Sequence, residues 1–526
     1  MTRGWKSGLL LVLVSLLLNG CVTVGPDFET PESEVAEQWL EAEHARLNSS
    51  PAETLEWWRQ FGDPILASLI EQAYAQNPTL QIAGLRVYEA RAQLGVAVST
   101  FFPQVMQIGA SASTLEISEN AEPISNLPPG VRNGVDTTFS NFRVGFDAVW
   151  ELDFWGRFRR SVESADANLA ATVAAYDEVL VLLTGEVAAA YIILRTLEER
   201  LAVAQANAAI QKRSLEISRV RNRNQLTTEL DPQLALALLR GTQSTVPILK
   251  SGIRRVKNAL SVLLGRPPGT LNIDLDSGSG IPSSPDSLAI GVPSQLLRRR
   301  PDIRRAELQA AAQSARIGIA KADLFPAFSL IGSIGYGSEN GADLFDAASR
   351  LGFGLVGFRW NILNYNRIQA LVRAEDARFQ QLIVNYQNTV LMAAREVEDA
   401  TANFVFAKDE VGFLEDGVAA SQRAVELSLI QYRDGIADYT RVLDSQRFLL
   451  LQQDRLAQAR GKVAVNFVAI YKAIGGGWEN RDPSRMVPEQ IREIMSERTN
   501  WGKLLEADSI EPVPEDERGS LRLPDF

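Results

Sequence analysis

The chain has 526 residues, 46% of them hydrophobic, with 53 Lys or Arg against 64 Asp or Glu and a formal net charge of −11. That apolar fraction supplies an ample core, and the acidic balance argues against nucleic-acid binding. One histidine, His44, and one cysteine, Cys21, speak against zinc sites and His-based triads and leave no intramolecular disulfide, so no metal or cofactor is implied.

The N-terminus reads as an export signal. Arg3 and Lys6 precede an apolar run, Leu9 to Leu18, broken only by Ser15. The run is shorter than the ~20 residues that span a bilayer and fits a cleaved hydrophobic region. It ends in Leu18-Asn19-Gly20-Cys21, which resembles a bacterial lipobox, with Asn19 departing from the small or hydroxyl residues usual there. The resemblance implies lipidation of Cys21 and, with Val22 rather than Asp beside it, an outer membrane destination. No second run of about 18 apolar residues follows, so no transmembrane helix is expected in the mature chain. One acyl chain anchors marginally, so stable insertion needs lipid-facing protein or more lipid on the same cysteine.

The rest reads as two copies of one unit. At an offset of 210 stand Trp150 and Trp360, Arg157 and Arg367, Tyr176 and Tyr386, Ser218 and Ser428, and Gly265 and Gly475. Upstream the offset is 223, pairing Pro78 with Pro301, Gly95 with Gly318 and Phe102-Pro103 with Phe325-Pro326, so thirteen extra residues fall between Pro103 and Trp150. Such a duplication suits a quasi-symmetric ring or tube better than a single cleft.

Between Phe102 and Trp150 the apolar period is two. Met106, Ile108, Ala110 and Ala112 alternate with Gln107, Gly109, Ser111 and Ser113, and Phe142 to Trp150 alternate with Asn141 to Asp147. In the second copy Phe328, Leu330, Ile334 and Tyr336 share a face with Gly332, opposite Ser329 and Ser333. Strands of about ten residues with one apolar face match a membrane β-barrel, with Trp150, Tyr336 and Trp360 placed as interfacial aromatics. Four strands in lipid leave unpaired edges, so closure with other chains is required. Two chains supply about eight strands and little lumen; three supply about twelve and an open one.

From Arg157 to Asp231 there is no proline, and Leu180, Leu183, Val187, Ala190, Leu194, Leu197 and Leu201 keep a seven-residue period. The second copy repeats it from Val390 to Val418. A helix of roughly 70 residues is about 105 Å long, too long for one compact globule. Each long helix is expected to turn back, near Asn224 to Asp231 and near Asp434 to Tyr439, with Pro232 in the first turn of the return helix and Gly265 and Gly475 ending the two returns. Gln225 stands where the second copy has Gly435, so the first turn is expected to differ in detail.

Four phrases make a family resemblance specific: Cys21 to Pro31, Trp57-Trp58-Arg59-Gln60-Phe61-Gly62-Asp63-Pro64, Leu263 to Gly269, and Leu297-Arg298-Arg299-Arg300-Pro301-Asp302-Ile303. Together they resemble the TolC-like outer membrane factors, in the lipoprotein branch of the NodT type that serves RND tripartite efflux pumps. The resemblance implies a mainly α fold with a membrane β-barrel: a homotrimer whose long antiparallel coiled-coil helices form a 12-helix α-barrel above which four strands per chain make a 12-strand β-barrel. It implies an outer membrane duct for small molecules such as drugs and toxic compounds, no chemical reaction, and two partners, a periplasmic adaptor and an inner-membrane RND-type pump. The expected layout is a signal peptide (1–20), a lipid anchor and N-terminal equatorial segment (21–60), a first repeat (61–265, with β-hairpin about 103–150 and helical hairpin 157–265), a linker (266–296), a second repeat (297–475, with β-hairpin about 326–360 and helical hairpin 367–475), and a C-terminal equatorial segment with a mobile tail (476–526).

By the same resemblance the helical turns touch the adaptor: Leu226, Thr227, Thr228, Glu229, Leu230 and Asp231 at tip one, Gly435, Ile436, Ala437, Asp438 and Tyr439 at tip two. Asp444 and Arg447, with Thr440 one turn earlier, are expected at the periplasmic gate, where threefold symmetry turns each into a ring. A plain surface ion pair between Asp444 and Arg447, worth about 0.3–0.5 kcal/mol, is the bland reading. Arg298 to Arg300 flank a helix start at Pro301 rather than form a basic patch. Competing functions are a type I secretion exit duct, a lipid-anchored coiled-coil scaffold without a pore, and, last, a carboxylate enzyme for which no feature marks a cleft.

Overall fold

The computed structural model describes residues 23–48, 50, 52–132, 134–270, 280–294 and 299–506. The expected signal segment 1–20, the lipidation site Cys21, Leu297 and Arg298 of the mid-chain motif, and residues 507–526 of the tail lie outside the described residues.

Helix α1 (Pro64–Gln76) begins where Asp63 accepts from the amides of Ile65 and Leu66, with Pro64 supplying the preset backbone angle of a first turn. Helix α2 (Pro78–Ser99) repeats the device: Asn77 accepts from the Leu80 amide at 2.9 Å. A short pair, β1 (Leu47–Asn48) with β4 (Leu288–Ala289), runs parallel and ties the N-terminal segment to the linker.

Strands β2 (Val105–Glu116), β3 (Thr138–Leu152), β5 (Ala327–Ser338) and β6 (Arg350–Arg359) form one antiparallel sheet in the order β2-β3-β5-β6. The β2–β3 connection, which contains the one-turn helix α3 (Pro129–Arg132), covers 117–137, whereas that between β5 and β6 covers 339–349, so most of the thirteen extra residues lie there. Register puts Ile108, Phe146 and Ile334 on one face, with Val144, Tyr336, Trp150, Leu330 and Val356. Ser111, Arg143, Gln107, Asp147 and Ser333 occupy the other. Ile108 is 82% exposed and Val356 75%, a large apolar face with no covering element among the described residues.

Helix α4 (Arg157–Arg223) has 67 residues and returns as α5 (Leu230–Leu263); after α6 (Pro301–Ala322), α7 (Tyr365–Arg433), of 69 residues, returns as α8 (Tyr439–Ala473). Each long helix packs on its return helix, and α4 also packs on α8, joining the two hairpins. Part of α4 is apolar enough to cross a membrane, but Leu180, Leu183, Val187, Tyr191, Ile192 and Leu194 are buried in the main core. That core gathers Trp57, Trp58, Phe61, Phe404, Phe467 and Tyr471 at mid-height, with Trp57 stacked on Tyr471 at 5.1 Å. The Trp57-to-Pro64 motif is therefore a packing element, and Asp63 also accepts from the Tyr191 hydroxyl at 2.7 Å. The C-terminal helix α9 (Glu489–Arg498) lies nearby, and Gly84 of α2 has no room for a Cβ against the Met486 carbonyl.

The duplication holds to single bonds. Trp150 Nε1 donates to the Phe101 carbonyl at 3.1 Å and Trp360 Nε1 to that of Leu324 at 2.9 Å. Ser218 Oγ donates to Leu215 O and Ser428 Oγ to Val425 O. Asn77 donates to the Leu263 carbonyl and its counterpart Arg300 to that of Ala473, each tying the start of a short helix to the end of a return helix. Arg300 is buried, binding Asp302 at 2.7 Å and Glu396 at 2.9 Å; desolvation works against its charge, and these two carboxylates outweigh it.

Candidate functional site

The two helical turns lie side by side at the end of the hairpins farthest from the sheet. Tip one spans 224–229 and tip two 434–438, so Leu230, Asp231 and Tyr439 belong to the first turns of α5 and α8. The two turns share a left-handed cap, Gln225 at φ 57° and Gly435 at φ 76°, and differ beyond it: Glu229 precedes α5 without a side-chain cap, whereas extended Asp438 caps α8 one residue sooner. Both turns close alike, with Leu226 N on Arg221 O at 2.9 Å and Ile436 N on Gln431 O at 2.8 Å. The long helices end in the same left-handed cap, and the first copy pays the steric cost of a side chain there.

Exposed apolar side chains crown the tips: Leu226 is 64% exposed, Leu230 62% and Ile436 77%. Thr228, Glu229, Gly435 and Asp438 are exposed, while Thr227 and Ala437 are half-buried. Asp438 caps α8 through the Arg441 amide. Tyr439 is the exception among the expected contact residues. It is 1% exposed, edge-on to Tyr432 at 5.2 Å, in a cluster with Leu215, Leu238, Leu239, Val442 and Leu443. It shapes the tip from within, because the four helix ends converge on an apolar centre.

Asp231, half-buried rather than presented outward, is the pivot of a lock between the hairpins. It accepts from Thr227 and from the Tyr432 hydroxyl, the latter at 3.0 Å. Arg221 lies over the Tyr432 ring at 4.8 Å and donates to the Arg433 carbonyl at 2.8 Å. Burial, then the hydrogen bond to Asp231, pushes the Tyr432 hydroxyl well above its ordinary value, and burial pushes Tyr439 up to about 12. Both remain protonated near neutral pH, so Tyr432 stays a donor.

Above the lock the α4–α8 seam is polar. Gln446 donates to Ser214 at 2.6 Å, Asn207 to Gln453 at 2.6 Å, and Arg200 pairs with Asp454 at 2.7 Å. Both amide atoms of buried Gln211, and the Gln446 carbonyl oxygen, have no hydrogen-bond partner. Each such group costs about 1–3 kcal/mol, so this seam is weaker than the apolar contacts within a hairpin. Reading the sequence for charge and turns missed Arg221, Tyr432 and this seam. A signal existed: the seven-residue register of Leu180 to Leu201 continues onto Gln211 and Ser218, polar residues on a buried stripe.

Thr440, Asp444 and Arg447 lie on one exposed stripe of α8, which continues to Phe448, 53% exposed, and Leu451, 51%. No described ion pair joins Asp444 to Arg447, and neither has a described side-chain partner within the chain. The bland surface-pair reading therefore has no contact behind it.

A family profile described as "Outer membrane efflux protein" matches residues 69–266 and 292–476, one segment in each repeat. The cation efflux system protein CusC of Escherichia coli O6:H1 is 30% identical over 480 residues, covering 90% of this chain and 99% of that protein. The pyoverdine export outer membrane protein OpmQ of Pseudomonas putida is 30% identical over 480 residues, covering 91% and 99%. The solved outer-membrane channel OprN superposes with a TM-score of 0.80 at 33% identity, over 87% of this chain and 99% of that one. Among the described residues no cluster of His, Cys, Asp and Glu could hold a metal ion. The chain belongs to the outer membrane efflux protein family and is an outer membrane efflux channel protein.

Proposed function

We propose that three copies assemble into a continuous duct, a twelve-strand β-barrel in the outer membrane joined to a twelve-helix barrel in the periplasm. The observation that carries this reading is the sheet itself: its apolar face is exposed and its edges, β2 and β6, are unpaired among the described residues. Hydrocarbon tolerates no such edges, and β6 of one copy beside β2 of the next closes them. Exposed apolar residues along α7, among them Leu391, Phe406 and Phe413, the last 80% exposed, suit contact between copies.

The layout follows the expected segments: anchor and N-terminal equatorial segment at 21–60, repeats at 61–265 and 297–475, linker at 266–296, C-terminal equatorial segment and tail from 476. Cys21 carries the lipid. Two residues beyond it, Thr23 packs on Gly156, which has no room for a Cβ, and Val24 N donates to Trp155 O at 3.1 Å. These contacts fix Thr23 and Val24 where β3 gives way to α4, which supports a lipid anchor near that level. The protein catalyses no reaction; it passes small molecules from an RND-type inner-membrane pump through a periplasmic adaptor. CusC and OpmQ, named for cation efflux and pyoverdine export, support small cargo. The exposed tips, Leu226 and Leu230 with Ile436, meet the adaptor, and Thr440, Asp444 and Arg447 ring the periplasmic aperture.

Single-channel recording in planar bilayers tests this. Asp444→Ala combined with Arg447→Ala is expected to raise conductance above the parent. Unchanged conductance removes these residues from the gate, and a parent without conductance contradicts the duct.

A further inference from the structure

The chain just after Cys21 fills a groove that the duplication makes twice. Residues 23–27 lie between α4 and α6. Gly25 has no room for a Cβ against Gly318, Arg160 Nε donates to the Val24 carbonyl at 3.3 Å, and Arg160 Nη2 pairs with Asp27 at 2.7 Å. The offsets of 210 and 223 make α7 the counterpart of α4, and α2 that of α6. Within the chain α6 packs on both long helices, α4 and α7, and α2 packs on α4. The counterpart of the α4–α6 groove is therefore α2 beside the α7 of a neighbouring copy. Its walls stand open in the single chain. A Cβ at Gly95, the counterpart of Gly318, would meet nothing within 4 Å, and Val96 and Leu371 are 66% and 45% exposed.

The sequence carries a second segment composed like the first occupant. Val22-Thr23-Val24-Gly25-Pro26-Asp27-Phe28 is echoed by Leu521-Arg522-Leu523-Pro524-Asp525-Phe526, one glycine shorter. The departures on the two sides match. Arg160, whose stem would crowd a Cβ on Gly318, is replaced in the second copy by Ala370, so the second groove has room and asks for no glycine opposite Gly95. Leucine in place of Val22 and Val24 fills that room. Ala370 also removes the cation that holds Asp27, but Arg373 stands exposed where the first copy has Glu163, and Arg91 stands where it has Ser314. Positive charge is thus kept for Asp525. The distance is within reach: residues 502–505 pack on α2 itself, α2 is about 33 Å long, and residues 507–520 span up to about 46 Å.

We propose that residues 521–526 of each copy dock between its own α2 and the α7 of the next, a second strap that staples neighbouring copies as residues 23–28 fasten α4 to α6. The inference rests on the duct reading, because only a ring brings that α7 to α2.

The test oxidises paired cysteine variants of the full-length protein in isolated outer membranes and reads non-reducing gels. Val24 lies at Gly318 and Arg160, which places Leu523 at Gly95 and Ala370. Leu523→Cys with Ala370→Cys is expected to give dimer and trimer bands, because the link crosses between copies. Leu523→Cys alone, or with Ser244→Cys on the exposed side of α5, is expected to give at least tenfold less. Adding Asp525→Arg to the Ala370 pair is expected to cut the yield about fivefold, and adding Arg373→Asp as well to restore it. Bands from the Ser244 pair equal to those from the Ala370 pair, no bands from the Ala370 pair in a protein that sizes as a trimer, or a yield indifferent to Asp525→Arg would overturn the strap and leave the duct intact. A protein that is not trimeric would overturn both.

Discussion

Asp177 shows how a single buried carboxylate sets a pH dependence. It is 2% exposed in the middle of α4 and accepts two bonds from Arg481 Nη1, at 2.9 and 2.8 Å. Burial pushes its carboxyl up to about 6, and Arg481 only partly offsets that. Unfolded, the group titrates near 3.8, so the folded chain takes up a proton between the two values. This carboxyl therefore favours folding most below pH 4, and its contribution is lost as pH rises through 6. The displacement corresponds to roughly 3 kcal/mol. Asp177→Asn keeps the shape and removes the charge. Thermal unfolding across pH 4.5 to 7.5 is expected to show a flatter profile in the variant, with Tm at pH 7.5 no lower than the parent's. An unaltered profile would assign the slope to other carboxyls. Gln225 carries a different local cost, a side chain at φ 57° where the second copy has glycine. Gln225→Gly is expected to stabilise the end of α4 by about 1 kcal/mol. Amide exchange at Val220 to Arg223 would then slow about fivefold; faster exchange would show that the side chain contributes more than its backbone costs.

At the scale of elements the tips form a four-helix junction held by few bonds. Within each hairpin the contacts are apolar and long. Between hairpins, near the tip, an apolar cluster around Tyr439 is joined by the polar contacts of Tyr432 on Asp231, Arg221 on Tyr432 and Arg433, and the polar seam above. Tyr432→Phe with Arg221→Ala removes about 2 kcal/mol of these. Single-channel conductance is expected to rise, with the fold's melting little changed because the main core lies far from the tip. Parental conductance would show that the lock does not restrain the aperture. The helices and strands were legible in the sequence because each has an unbroken period: two from Phe142 to Trp150, seven from Leu180 to Leu201. The turns were legible from glycine and proline, except that Gln225 concealed a left-handed cap. The lock was not legible. Tyr432 and Arg221 lie 211 residues apart in sequence, and nothing in the local pattern of either helix names the other. Arg300 was read as the flank of a helix start and proved to be a buried tie, because its partners Glu396 and Ala473 come from other elements.

For the whole molecule the governing fact is incompleteness. Among the described residues, a single chain leaves two strand edges open, an apolar sheet face uncovered and apolar side chains standing out along a helix of 69 residues. Each of these is costly alone, and the proposed ring of copies of the same chain would satisfy all of them. In a proposed ring of three, the duplication within the chain would make the elements nearly sixfold, since each repeat brings two strands and one long hairpin. In the proposed trimer membrane, helical shaft and tip lie along one axis, with Thr23 packed at the junction of sheet and shaft. Electron microscopy of full-length particles extracted in mild detergent, with class averaging, tests this most directly. Threefold averages of a hollow tube, with a membrane cap at one end, are the predicted result. Solid rods or isolated hairpins without a lumen would contradict it.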